Sequence, residues 1–145
     1  MTLRLTLFWL ACLFATPLYA TELGKITAEQ LINMQQNHNA LVVDVRTAPE
    51  WQATGVIANS QKLESFDGNG HFDQEKWLAD LEKLKSSPEQ PVILVCRSGN
   101  RSGKIGQILT EQLGMKNVYH LSNGIQSWIK NGHPVKADCL TKACK

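Results

Sequence analysis

Two short apolar runs, residues 41–45 and 92–95, constrain this chain more than anything else in it. Both are rich in valine and apolar at nearly every position, not at alternate ones. A strand with one wet face shows a period of two, whereas a continuous run indicates burial on both faces, the condition of parallel strands covered by helices. The segments around them carry helical spacing. Thr27-Ala28-Glu29-Gln30 has the form of a capping box opening a helix over 28–36. Thr47 is placed to cap a second short helix through Pro49, Glu50 and Trp51 that ends before Gly55. A weak strand over 58–63 precedes the loop SFDGNGHF, whose Asp-Gly and Asn-Gly pairs mark turns. Asp73 opens a helix with Trp77, Leu78, Leu81 and Leu84 on one face. After the second valine-rich run, a helix from Ser102 directs Ile105, Ile108, Leu109 and Leu113 toward a core and stops at Gly114. A strand over 117–121 and a helix over 125–130 complete the alternation. This predicts an α/β fold: a central, mostly parallel sheet with helices on both faces. The tryptophans Trp51, Trp77 and Trp128 fall in amphipathic helices and read as core.

The length of 145 residues suits one domain, and 43% hydrophobic residues supply a sizeable core for it. A net charge of +2, with no Lys/Arg run, argues against a nucleic-acid surface. Residues 1–20 read as a secretory signal peptide: a positive start through Arg4, an apolar run, then Pro17 and a small residue, Ala20, before Thr21. The apolar run is too short for a spanning helix. The domain is therefore expected over 21–136, followed by a tail over 137–145, in a periplasmic or secreted protein. Export would leave Cys96, Cys139 and Cys144 in an oxidising compartment. Cys139 and Cys144 are close enough in the tail for a local disulfide, leaving Cys96 free, although pairing of Cys96 with a tail cysteine, or a redox role for the tail pair, is compatible with the same count. His38, His71, His120 and His133 are scattered without ligand spacing and read as surface or capping residues, so no metal or other cofactor is expected.

Cys96 stands where the second valine-rich run gives way to Arg97-Ser98-Gly99-Asn100-Arg101-Ser102 and a helix. In parallel α/β sheets ligands collect at the carboxyl ends of strands. A thiol works as a nucleophile only as the thiolate, so a reactive cysteine needs an environment that favours negative charge. The helix start offers unpaired N–H groups. Gly99 allows the loop to curl until successive N–H groups converge. Arg97 and Arg101 add full charges suited to a small dianion. Without that loop, Cys96 would read as a small buried apolar residue.

The pattern resembles the single-domain rhodaneses, a sulfurtransferase family whose active loop begins with a cysteine between a central strand and a helix. VVDVRTAPEWQATGVI is similar to the family's Asp-Val-Arg, Glu-Trp/Tyr, Gly-His-Ile segment, and LSNGIQSWIKNGHPV to its Leu-x-Gly-Gly, Trp, Gly-x-Pro-Val ending. The likeness covers roughly 26–135. This chain departs from it at Val56, where the family has histidine, and at Asn123, where the family has the first of two glycines. The resemblance implies that Cys96 takes sulfane sulfur from a donor such as thiosulfate, becoming a persulfide held by the loop, and passes it to a thiophilic acceptor such as cyanide. Arg97 through Ser102 would bind the donor, and Asp44 and Arg46 would support the site as a brace or an internal ion pair.

Two other readings compete. Phosphatases and arsenate reductases on a similar scaffold place five residues between cysteine and arginine, whereas four separate Cys96 from Arg101 here and Ser102 occupies the position an arginine would need. A non-catalytic persulfide carrier or partner-docking module is the other, although Cys96 is retained. The partners implied are a small anionic donor and an acceptor, with no nucleic acid, and no membrane after signal cleavage; oligomeric state is left open.

Overall fold

Both valine-rich runs form strands, and they are neighbours. The computed structural model describes residues 21–138. In chain order its elements are β1 (Gly24–Ile26), α1 (Ala28–Asn37), β2 (Leu41–Asp44), α2 (Ala48–Thr54), β3 (Gln61–Lys62), α3 (Gln74–Leu84), β4 (Val92–Val95), α4 (Asn100–Gln107), β5 (Val118–Leu121) and α5 (Gly124–Lys130), with a π turn over Ile108–Gln112 continuing α4. The sheet order is β1-β5-β4-β2-β3 and every pairing is parallel. Leu41 lies opposite Val92 and Asp44 opposite Val95, so the two central strands end level. That register brings Arg46 and Cys96, each just past its strand, to the same rim of the sheet.

Helices cover both faces. On one, Leu31 of α1 and Ile125 and Trp128 of α5 pack on Val42, Ile93, Val95 and Leu121. On the other, Trp77 and Leu81 of α3 and Ile105 and Leu109 of α4 pack on Val43, Val45, Leu94 and Cys96. All eight strand residues of β2 and β4 are buried, and each of the seven aliphatic ones, all but Asp44, contributes roughly 1.5–3 kcal/mol by leaving water. Helix starts follow the sequence. Thr27 and Gln30 exchange backbone and side-chain bonds at 2.9 and 3.3 Å, completing the capping box of α1, and Asp73 Oδ1 accepts the Lys76 N–H at 3.0 Å at the start of α3.

One element was not anticipated, and three expectations need correction. A first strand, β1, exists on the edge beside β5, its Gly24 lying under the Tyr119 ring. The strand expected over 58–63 contracts to two exposed residues, because Asn59 adopts φ +60° and the Ser60 N–H turns back to the Ile57 carbonyl. Helix α4 begins at Asn100, two residues before Ser102, with Gly99 as its N-cap. Leu113 points outward and is 42% exposed. The π turn inserts a residue, with Leu113 N–H reaching back five positions to Ile108, and so rotates the end of the helix off the buried face.

The end of the domain and the start of the tail are held against the body: Val56 and Lys136 form an antiparallel bridge, and Lys62 Nζ meets Asp138 at 2.6 Å. The signal peptide expected over 1–20 and the disulfide expected between Cys139 and Cys144 lie outside the described residues. Among the described residues no helix is long and apolar enough to cross a membrane.

Candidate active site

Cys96 follows β4 directly, so the sheet fixes its backbone while its side chain falls on the α3/α4 face and is 1% exposed. Its sulfur is not left among hydrocarbon. The Gly99 N–H donates to Sγ at 3.1 Å and the Ser102 hydroxyl lies 3.3 Å from it. Both donors sit at the start of α4, where first-turn N–H groups have no intrahelical carbonyl and the helix dipole is positive.

Two glycines make this loop possible. Gly99 has φ +95°, and a Cβ there would collide with the Ser122 carbonyl. Gly124 has φ +60°, and a Cβ there would run into the carbonyls of Cys96 and Arg97. That close approach serves a purpose. The Ile125 N–H donates to the Cys96 carbonyl at 2.8 Å and the Gln126 N–H to the Arg97 carbonyl at 3.1 Å, so the start of α5 clamps the first half of the loop.

The two loop arginines differ. Arg97 is exposed; its Nε and Nη2 donate to the Gln126 amide oxygen at 2.9 and 3.3 Å when that amide is turned toward it. Arg101 is half-buried and pairs with Glu50 of α2. Glu50 also accepts the Thr47 N–H and hydroxyl on its other oxygen, at 3.1 and 3.0 Å. Burial pushes the Glu50 carboxyl up, but Arg101 and the Thr47 N–H outweigh it and bring the group down to about 2. Reciprocally, Glu50 raises Arg101 above the ordinary arginine value against its own burial, and Cys96 and Asp44 add to the rise. Glu50 escaped the sequence analysis as a site residue because it reads there only as part of a helix start.

Asp44 and Arg46 are each 1% exposed and form a two-point ion pair, Nε to Oδ1 at 2.9 Å and Nη2 to Oδ2 at 2.7 Å. The remaining Arg46 donors reach the Thr54 hydroxyl and the Gly55 carbonyl, both at 2.7 Å, tying the end of β2 to the end of α2. Since α2 carries Glu50, this buried pair supports Arg101 at one remove. Ser98 and Asn100 are exposed at the loop's rim.

His120 departs from the surface or capping role expected of it: it is buried on β5 at 6% exposure, with Nδ1 3.4 Å from the Ser102 hydroxyl. Burial and then Lys25 lower its imidazole below the ordinary histidine value, partly offset by the Gly99 backbone. Two clefts flank the loop. One, of about 290 Å³, has Ala53, Ile125 and Ile129 for walls and Arg97 and Glu50 at its edge; the other, of about 370 Å³, is bounded by Gly99, Lys104, Lys25 and His120. The arrangement suits a sulfur nucleophile whose anion is met by fixed hydrogen-bond donors.

A Rhodanese-like domain family model matches residues 27–131. A Rickettsia rickettsii protein, the RP600 homolog, is 32% identical over 108 residues, covering 68% of this chain and 84% of its own. Thiosulfate sulfurtransferase GlpE of Glaesserella parasuis is 28% identical over 112 residues, covering 77% and 92%. Among solved structures, Rv0390 from M. tuberculosis superposes with a TM-score of 0.65 at 26% identity, covering 81% of this chain and all of the other. The polysulfide-sulfur transferase homodimer of Wolinella succinogenes shares the fold, with a TM-score of 0.60 at 21% identity over 85% of each chain. With a cysteine loop clamped between β4 and α5 and a family match across nearly all of the described residues, this chain belongs to the rhodanese-like family.

Proposed function

We propose that the protein is a sulfurtransferase that moves sulfane sulfur from thiosulfate, or a related donor, to a thiophilic acceptor such as cyanide through a persulfide on Cys96. The observation that carries this reading is the pair of donors, Gly99 N–H and Ser102 hydroxyl, aimed at a buried Cys96 sulfur. The thiolate attacks the outer sulfur of thiosulfate; a new S–S bond forms at Cys96, the donor's S–S bond breaks, and sulfite leaves with the electron pair. Cyanide then attacks the terminal sulfur of the persulfide, thiocyanate departs, and the Cys96 thiolate returns. Both half-reactions leave an anionic sulfur in the loop, so the same N–H and O–H donors serve throughout. Arg97 draws the anionic donor to the mouth of the loop, and Arg101, partly neutralised by Glu50, orders the loop's far side. Export to the periplasm or beyond belongs to this proposal, since the N-terminal segment has the composition of a cleaved signal.

The test is the intact mass of the reduced protein after incubation with thiosulfate, before and after cyanide. A gain of one sulfur atom, about 32 Da, discharged by cyanide and absent from Cys96→Ser, is expected of a persulfide built on a reactive thiolate. No gain in folded protein with Cys96 reduced would remove thiosulfate as donor. A gain with polysulfide alone would reassign the donor, and retention of the sulfur against every acceptor would leave a persulfide carrier.

A further inference from the structure

His120 is a buried titratable side chain that sulfur transfer by Cys96 leaves without a task. It reaches the loop from β5, and its Nδ1, the Ser102 Oγ and the Cys96 Sγ stand in series at 3.4 and 3.3 Å. Its other ring nitrogen, Nε2, is buried with no hydrogen-bond partner among the described residues.

The protons of this series can be assigned by elimination. Ser102 Oγ has one proton and three neighbours that can accept it: Cys96 Sγ, the Gly99 carbonyl at 3.2 Å, and His120 Nδ1. The Gly99 carbonyl already accepts the Gly103 N–H at 2.9 Å. A proton on His120 Nε2 would be a buried donor with no acceptor, which folded proteins rarely tolerate. A proton on Nδ1 has acceptors in reach. With Nδ1–H donating to Ser102 Oγ, the serine's own proton is directed at the sulfur. Burial, and then Lys25 of β1 beside it in the sheet register, oppose a positive charge on the imidazole; Lys104 of α4 borders the same cleft, and Arg101 is matched by Glu50.

We infer that His120 is a positioning residue for Cys96: acting through Ser102, it holds the serine hydroxyl as a donor to the cysteine sulfur and so favours the thiolate over the thiol. This rests on Cys96 being the reactive residue. Histidine serves better than an apolar residue here because it adds a donor behind the donor, and each bond in such a series polarises the next.

The experiment is the pH dependence of Cys96 alkylation by iodoacetamide, read from the mass of the Cys96 peptide so that Cys139 and Cys144 do not contribute. His120→Leu should raise the midpoint, a loss of thiolate at any given pH below it. His120→Asn, which puts an amide N–H where Nδ1 stood, should restore most of that shift. In a Ser102→Ala background His120→Leu should add nothing, because the residue through which it acts is gone. If the leucine variant does not fold, His120→Gln takes its place, since its amide extends toward the Nε2 side and should shift the midpoint likewise. An unchanged midpoint in folded His120→Leu or His120→Gln overturns the inference, as does an equal shift with or without Ser102, or an asparagine variant no better than leucine. Sulfur loading by thiosulfate in the same samples is read separately: a shifted midpoint without loading would keep the role of His120 and remove thiosulfate as donor.

Discussion

Arg101 shows how much of a site depends on one partner. Glu50 holds it in place, and the carboxyl is itself brought down to about 2 against its own burial. A carboxylate depressed in the folded state stabilises the protein above its unfolded value, near 4.3, and loses that contribution as pH falls toward 2. Glu50→Gln keeps the capping-box contact to Thr47 but removes the charge. It should cost about 1 kcal/mol at pH 7, after allowance for solvent screening, with the difference from the parent narrowing between pH 5 and 2. Urea denaturation at several pH values measures it, and a constant difference across that range would show that packing, not charge, is what Glu50 supplies. The sequence made Cys96 and its arginines legible because loop chemistry is local. It concealed Glu50 and His120, whose partners Arg101 and Ser102 are 51 and 18 residues away, since a side chain's burial and neighbours across a sheet are set by topology. Asp44 and Arg46 lay between the extremes: two residues apart, both at a strand end, their pairing was open to inspection but their grip on α2 was not.

Elements rather than residues give the cysteine loop its shape, and α5 matters most among them. Its first N–H groups bind the carbonyls of Cys96 and Arg97, which requires the backbone at Gly124 to come closer than any side chain permits. Gly124→Ala should therefore cost about 2–4 kcal/mol, through both a positive φ and the displaced carbonyls. It should also abolish sulfur loading of Cys96 under conditions where the variant is still folded. Full loading in a folded Gly124→Ala would mean that the clamp is structural only. Helix periodicity and capping made α1, α2, α3 and most of α4 legible in advance. What escaped was whatever depends on non-local pairing or on a break in periodicity. A three-residue β1 with a glycine at its head has no apolar run to announce it, and the π turn after α4 moved Leu113 out of a face that its spacing had assigned to the core.

At the scale of the molecule, the sheet separates two cores and the site draws on both. Cys96 and α4 belong to the α3/α4 side, while the α5 clamp belongs to the other. Leu31 and Leu81 are fully buried, one in each core, with the sheet between them. Truncating either to alanine leaves a cavity and should cost about 2–5 kcal/mol. Because the two share no packing partner, the double variant should lose the sum to within about 0.5 kcal/mol. The rate at which folded Cys96 takes up sulfur should stay near the parent value in each single variant, since β4 and the two glycine-shaped turns hold the loop locally. Denaturant unfolding of the four proteins, with loading rates at temperatures where all are folded, gives both quantities. A double variant that loses clearly less than the sum would mean that the cores relax together through the sheet. Loading slowed by Leu81→Ala but not by Leu31→Ala would instead place the site's rigidity in the α3/α4 core alone.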